Sequence, residues 1–410
     1  MSKGRIKIGI YGVSILMMGV IAISGALAII GSSGFPEASQ TMIQNMISIP
    51  CLVVIPVTLL VGKLMDFMSK KTLAVIGAVL FLVGGVAPVF LNSLPLILVF
   101  RGIFGISIGI VQPVSSALVA ENFEGPEREK VQGNATAAQM LGVCLMVFLG
   151  GWLANSSWRL AFLVHLMAII SLVLIFICLP SVKPGKKTGE KTESVKANLV
   201  SGGSGESARI SAKSSGEKAH LTKSAYMWAF TMFILFIGAQ VYSVYLAYIV
   251  DEKALGTSVQ SGNAMAFFAI GGVICGLLYG KLASRAKAFT LFAGLLGILV
   301  SYLVIAYAAN MFMIYLGAFL FGFSLSVCMP CIIVGTAGSV SPAASAMAIS
   351  LTMCGQNLAQ FLCPYIFNPL AAAVGNGSNN NQVAFLAGAV LIGVMAVAAA
   401  FWGRKNKAGE

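Results

Sequence analysis

Residues 40–92 read QTMIQNMISIPCLVVIPVTLLVGKLMDFMSKKTLAVIGAVLFLVGGVAPVFLN. Two apolar runs flank the charged stretch Gly62–Lys71. A bilayer's hydrocarbon core is about 30 Å thick and takes roughly 20 helical residues to cross. Each run has that length and no charge in its interior, so each predicts a membrane-spanning helix. The stretch between them is long enough only for a short connection at one membrane face.

The same pattern extends along the chain. Twelve such runs can be placed, at 7–30, 40–61, 73–92, 94–120, 131–154, 159–180, 225–250, 259–280, 288–308, 311–339, 345–372 and 382–402. Composition agrees: 58% of the 410 residues are apolar and 10% are charged, and the mean hydropathy is +0.92. So few charges cannot cover a soluble protein. Outer-membrane barrels alternate in shorter strands. The expectation is an all-α, polytopic membrane protein with twelve transmembrane helices.

The net charge of +13 invites a nucleic-acid partner, and its distribution refuses one. With an even number of spans, 23 of the 26 basic residues fall on the side of the two termini. By the positive-inside rule both termini are cytoplasmic, in the inner membrane of a cell. Residues 1–28 imitate a secretory signal, but the apolar run is too long and eleven more follow. The eight cysteines all lie in spans, and Cys328-Met-Pro-Cys331 reads as small residues in a helix, with no second ligand pair for a metal. No cofactor is expected.

One long polar stretch, 181–224, is rich in Lys, Ser, Gly and Glu and predicts a disordered cytoplasmic linker. It separates six spans (1–180) from six spans (225–410). The halves repeat each other. Gly62-Lys63-Leu64 recurs as Gly280-Lys281-Leu282, and Phe104-Gly105-x-Ser107 with Pro113 recurs as Phe321-Gly322-x-Ser324 with Pro330. Parallel six-helix repeats around a midplane site are a secondary-transporter architecture.

These motifs resemble the major facilitator superfamily over essentially the whole chain. Gly62-x-Leu64-x-Asp66 followed by Lys70 and Lys71 is similar to the family's loop after span two, with Phe67 and Ser69 in place of its Arg and second Gly. Gly280, Leu282 and Arg285 keep part of the second copy; Ser284 replaces the acid. Arg101 four residues before Gly105 resembles the family's fourth span, and Pro126-Glu127-Arg128 its loop between spans four and five. Gly133, Gly142, Gly150 and Gly151 fall on the antiporter grid of span five, but Met146 and Val147 replace its Gly-Pro. The resemblance implies that spans 1, 2, 4, 5, 7, 8, 10 and 11 line a path. It also implies that Gly62, Asp66, Lys70, Lys71, Arg128, Gly280 and Arg285 serve gating. Asp66 would meet the start of span eleven, at Ser341-Pro342, when the cytoplasmic side is closed.

Polar residues inside spans seek a cavity or a neighbour. On path-lining spans these include Gln112, Gln139, Gln240, Asn357 and Gln360, with Tyr242, Tyr245 and Tyr248 at every third position. His165, in span six, reads as a packed residue. Arg101 is the one charge in the middle of a span, and no acid lies there to neutralise it. Arg101, Gln112, Gln139, Gln240, Tyr245, Asn357 and Gln360 are therefore the expected substrate contacts, with Arg101 as counter-ion. On the outer side, Glu37 and Asp251, with Glu252, are the candidates for ion coupling, Glu37 first. The expected function is secondary transport of a small organic solute, an organic anion or amphipathic acid, with a co- or counter-transported partner, by a monomer. Multidrug efflux and a transport-inactive sensor are the alternatives. No nucleotide-binding loop and no catalytic set within the spans point to an enzyme.

Overall fold

The structure, a computed structural model, describes residues 2–179, 221–286, 289–341, 344–377 and 379–407. The expected linker lies almost wholly outside the described residues. Twelve helical spans follow in order: α1 (Lys3–Ile15), α2 (Gln40–Leu64), α3 (Lys70–Val86), α4 (Leu94–Asn122), α5 (Gly125–Ser156), α6 (Met167–Cys178), α7 (Lys223–Glu252), α8 (Ser258–Ala286), α9 (Thr290–Ala306), α10 (Met311–Gly338), α11 (Ser345–Val374) and α12 (Asn380–Lys407). There is no strand among the described residues.

Nine of the described helical segments are long and apolar enough to cross a bilayer. The first span is broken: α1 is followed by a 3₁₀ stretch, Gly19–Ala26, and the two parts meet at 42°. The short α9 and the carboxamide-bearing α11 complete the set. The starts of α1, α3 and α9 and the ends of α2, α8 and α12 lie at one face of the bundle, the terminal side. The opposite face is the far side.

The internal repeat is visible in packing. On α4, Gly105 lies against Pro50 of α2; 217 residues later, Gly322 on α10 lies against Phe268 of α8. Gly77 of α3 faces Val111 of α4, and Gly294 of α9 faces Cys328 of α10, again at an offset of 217. Glycine is needed where backbones approach this closely: a Cβ at Gly105 would stand 2.7 Å from the Pro50 carbonyl oxygen. The repeated glycines thus set the same helix crossings twice.

Candidate functional site at the interface of the halves

Alternating burial along α2 shows where the halves meet. Ile43 to Ser48 are buried in succession, so the helix is enclosed on every side there. Beyond mid-depth, Leu59 and Leu60 are 58% and 56% exposed. The far half of α2 is clamped and its terminal half is not.

The clamp is a neutral polar network. Asn368 of α11 donates from Nδ2 to Thr41 Oγ1 and to Gln44 Oε1, both at 2.7 Å. Its Oδ1 accepts from the Tyr245 hydroxyl of α7 at 2.6 Å. Gln44 donates to the Val244 carbonyl at 3.2 Å, and Asn45 to the Tyr365 hydroxyl at 2.9 Å. Nearer mid-depth the Cys51 thiol donates to Gln360 Oε1 at 3.0 Å. At the rim Gln40 donates to Asn381, whose backbone and side-chain N–H groups both reach Glu252. Positions 41, 44, 45, 48 and 51 lie on one face of α2, as helical spacing requires.

A second closure is made by bare backbone. Gly262 of α8 meets Gly25 of the broken first span and Gly151 of α5. A Cβ on Gly262 would lie 2.8 Å from the Val147 carbonyl oxygen, and one on Gly25 2.8 Å from the Gly262 nitrogen. Gly142 and Gly150 pack on the Ile15 and Ala22 carbonyls of the first span. Three of the four glycines of the span-five grid therefore seat α5, while a Cβ at Gly133 would meet nothing within 4 Å.

On the terminal side, no hydrogen bond or ion pair joins the halves among the described residues. Charges there pair within the N-terminal half. Lys70 bonds Glu121 at 2.6 Å, Lys71 bonds the Phe176 carbonyl at 2.7 Å, and Lys3 and Lys7 hold Glu127 at 3.0 and 2.8 Å. The Lys7 and Lys3 hydrogen bonds keep the Glu127 carboxyl below its ordinary value, while partial burial lowers the Arg128 guanidinium. Asp66 and Arg285 are exposed, and Gly62 has open space where a side chain would go. Ser341 is described but Pro342 is not, so the expected meeting of Asp66 with the start of α11 lies partly outside the described residues. Gly280 lies within α8 on this same face.

The expected substrate contacts divide. Gln360 sits at the interface through Cys51. Gln240, 4% exposed with an unpaired Nε2, stands one turn below Val244 on the same face of α7. Asn357 turns Nδ2 back to the Met353 carbonyl. Gln112 is half-buried on α4, and Gln139 is buried on α5. Tyr245 joins the far-side network instead of facing an open cavity. The tyrosine stripe does not hold together, because three residues turn a helix by about 300°, so each step drifts by about 60°. Tyr242 is buried inside the C-terminal half, stacked 4.4 Å from Phe321 and bonded to the Ala264 carbonyl.

Arg101 lies apart from these residues. Its side chain is fully buried between α3 and the 3₁₀ stretch Trp158–Leu166, away from the interface. The guanidinium stacks over Phe104 and Phe162, at 4.6 and 5.3 Å, and donates weakly to the Gly84 and Gly85 carbonyls at 3.5 and 3.3 Å. The reason is local. Pro88 has no N–H to give the Gly84 carbonyl four residues earlier, so that oxygen is left for Arg101. His165 is packed beside it against Phe81 and Phe104, as a packed residue should be. Glu37 and Asp251 are exposed on the far side; among the outer acids it is Glu252 that ties two helices together.

Sequence reasoning passed over Asn368, Gly25 and Gly262. Asn368 carries the same signal as Asn357 and Gln360, a carboxamide in a span.

Known proteins place the chain. The model of the Major Facilitator Superfamily matches residues 9–287 and 228–410. Among curated relatives, the multidrug transporter protein MdtP of Bacillus subtilis is 29% identical over 28% of this chain and 21% of its own length. A triacylglyceride transporter of Mycolicibacterium smegmatis is 33% identical over 30% of this chain and 22% of its own. The chain thus aligns with about a fifth of each of these relatives. An uncharacterized MFS-type transporter of Bacillus subtilis, YceJ, is 24% identical over 73% of this chain and 75% of its own. In fold, the nucleoside transporter NupG superposes with a TM-score of 0.77 at 11% identity, covering 97% of this chain and 99% of that one. The human organic anion transporter MFSD10 gives 0.63 at 18%, covering 97% of this chain and 100% of that one. With the family's model matched across both halves and its fold reproduced helix by helix, this multi-pass membrane protein belongs to the major facilitator superfamily.

Proposed function

We propose that this chain is a secondary transporter that moves an uncharged, amphipathic organic solute by alternating access, and that the conformation described is its cytoplasm-open state. One observation carries the reading: every hydrogen bond between the halves, among the described residues, lies between the far rim and the Cys51–Gln360 pair. A central site next to that pair is sealed from the far side and open to the other. The positive-inside distribution makes the open side the cytoplasm. The halves 1–180 and 225–410 are the rocking bodies, in a single polypeptide acting as a monomer.

The cargo follows from what the site offers. Carboxamides at mid-depth (Gln139, Gln240, Asn357, Gln360) donate and accept without charge. An organic anion would have relied on Arg101, and that guanidinium is sealed against α3 and the stretch Trp158–Leu166. Lipophilic cargo is also in keeping with the names of the multidrug and triacylglyceride relatives. Multidrug efflux is the second reading, favoured by the glycine seating of α5.

Flux into proteoliposomes, measured for neutral, anionic and cationic amphipaths of matched size, tests this. Neutral compounds should move fastest, and Arg101→Lys should keep that order. Transport confined to acids, and abolished by Arg101→Ala at unchanged thermal stability, overturns it and restores Arg101 as counter-ion.

A further inference from the structure

Two hydrogen-bond relays run from the C-terminal half to α2, and both start on α7. In the first, the Tyr245 hydroxyl donates to Asn368 Oδ1 at 2.6 Å, and Asn368 Nδ2 reaches Thr41 and Gln44. In the second, Asn381 Nδ2 donates to Glu252 Oε2 at 2.8 Å, and Gln40 Nε2 donates to Asn381 Oδ1 at 2.7 Å. Tyr245 and Glu252 stand two turns apart on one face of α7. Each holds one end of an asparagine carboxamide on another helix of the same half, α11 or α12. The end left over is the one that meets α2.

The two asparagines are held in opposite senses. A carboxamide accepts at its oxygen and donates at its nitrogen, and half a turn about its bond to the chain exchanges the two. The Tyr245 hydroxyl occupies the oxygen of Asn368, so α2 meets the nitrogen. Glu252 occupies the nitrogen of Asn381, so α2 meets the oxygen. Glu252 also accepts from the backbone N–H groups of Asn381 and Gln382, at 2.9 and 3.3 Å, which fixes its carboxylate over the start of α12. The groups on α2 match these senses: Thr41 Oγ1 and Gln44 Oε1 accept, while Gln40 Nε2 donates.

The helix that carries both holders is itself firmly seated. α7 is buried almost continuously from Leu235 to Val250. Beyond its end, Lys253 Nζ donates to the Ala306 and Ala308 carbonyls at the end of α9, at 2.7 and 3.2 Å. Ala254 follows in left-handed backbone, at φ 51°, which a residue with a Cβ adopts only where its surroundings hold it.

We propose that Tyr245 and Glu252 are positioning residues of the far-side closure, which keep the carboxamides of Asn368 and Asn381 aimed at α2 while the halves are apart. Holder and carboxamide belong to the same half, so both relays keep their first link when α2 leaves. Closure then re-forms its hydrogen bonds without ordering the two side chains anew. The role rests on the reading of this conformation as cytoplasm-open.

Distances between spin labels at the two membrane faces, in full-length protein in nanodiscs, give the populations of the two states. Ordering one side chain is worth about two- to tenfold in an equilibrium. Tyr245→Phe removes one oxygen atom, keeps the ring, and should move the population toward the far-side-open state by that factor. Glu252→Gln should do the same. Neither shift should survive without its relay: Tyr245→Phe should add nothing to Asn368→Leu, and Glu252→Gln nothing to Gln40→Met. Residues that only hold the C-terminal half together would lower thermal stability and leave the populations alone. Gln44 also stands beside the Tyr245 hydroxyl. Were that direct contact the one that matters, Tyr245→Phe would keep its full effect on top of Asn368→Leu, and the positioning role would fail. Populations moved by Asn368→Leu, but by neither Tyr245→Phe nor Glu252→Gln, overturn the positioning role and leave the cytoplasm-open reading standing. Populations moved by none of the three overturn both.

Discussion

The two faces of this protein are built from different chemistry. On the far side, the halves meet through carboxamides, hydroxyls, a thiol and naked glycine backbone, with no ion pair among the described residues. On the terminal side, ion pairs abound, yet Lys3, Lys7 and Lys70 all find their acids within the N-terminal half. The contrast shows how a contact that must break is made. Hydrogen bonds between membrane helices average about 0.6 kcal/mol each. The six that join the halves are together worth about 4 kcal/mol, which a substrate or an ion of differing affinity for the two states can overcome. The ion pairs among the described residues sit in joints within one half, which must remain rigid.

The comparison can be broken most severely at Gly262. Gly262→Leu forces a side chain into the Val147 carbonyl and the Gly151 backbone, so the far side cannot close. Transport should fall more than about tenfold, the scale set by a clash of 1–3 kcal/mol. Cys51, 2% exposed here, should become open to maleimide labelling from the far side. Wild-type flux with Cys51 still protected would show that the glycine crossing is not the closure.

A smaller effect is expected at Asn368, the hub of the polar network. Asn368→Leu keeps approximate size and removes the two hydrogen bonds that Asn368 makes across the halves, about 1.2 kcal/mol at the membrane average. The far-side-open state should gain up to about eightfold in population, read by distances between spin labels at the two membrane faces. An unchanged distance distribution would make the network decoration on a closure held by packing.

The smallest change sharpens the terminal side. Asp66 is exposed in the open state, and its expected partner is a helix N-terminus worth about 0.3–1 kcal/mol. Asp66→Asn should move the population toward cytoplasm-open by about two- to fivefold, with no change in thermal stability. A stability loss would mean that Asp66 already has a structural role in the open state.

Much of this architecture could be read from the sequence, because spans are long and their apolarity is a property of each segment alone. The repeat was legible for the same reason: Gly105 and Gly322 stand out as letters before they are seen as crossings. The break in the first span was not, since Leu16–Ala26 has the composition of any span and its bend depends on Phe81 and Phe104 packing onto Gly19. The site was half legible. A carboxamide in a span announces that it needs a partner, so Gln240 and Gln360 could be picked out. Which helix supplies that partner is a matter of rotation, and rotation is set by neighbours. Arg101 shows this best: its motif named the residue, while its direction was decided by the carbonyl that Pro88 leaves free on α3.

That guanidinium also bears on how the chain is made. As α4 leaves the ribosome and enters the bilayer, it carries a cation that costs at least about 2.5 kcal/mol at mid-membrane. The Gly84 and Gly85 carbonyls are already in place, but Phe162 has not yet been synthesised. Arg101 therefore waits, in water or at the lipid surface, until the sixth span arrives with its aromatic ring. The N-terminal helices are obliged to assemble late and together, and a chain truncated before residue 162 should be a preferred substrate for membrane quality control.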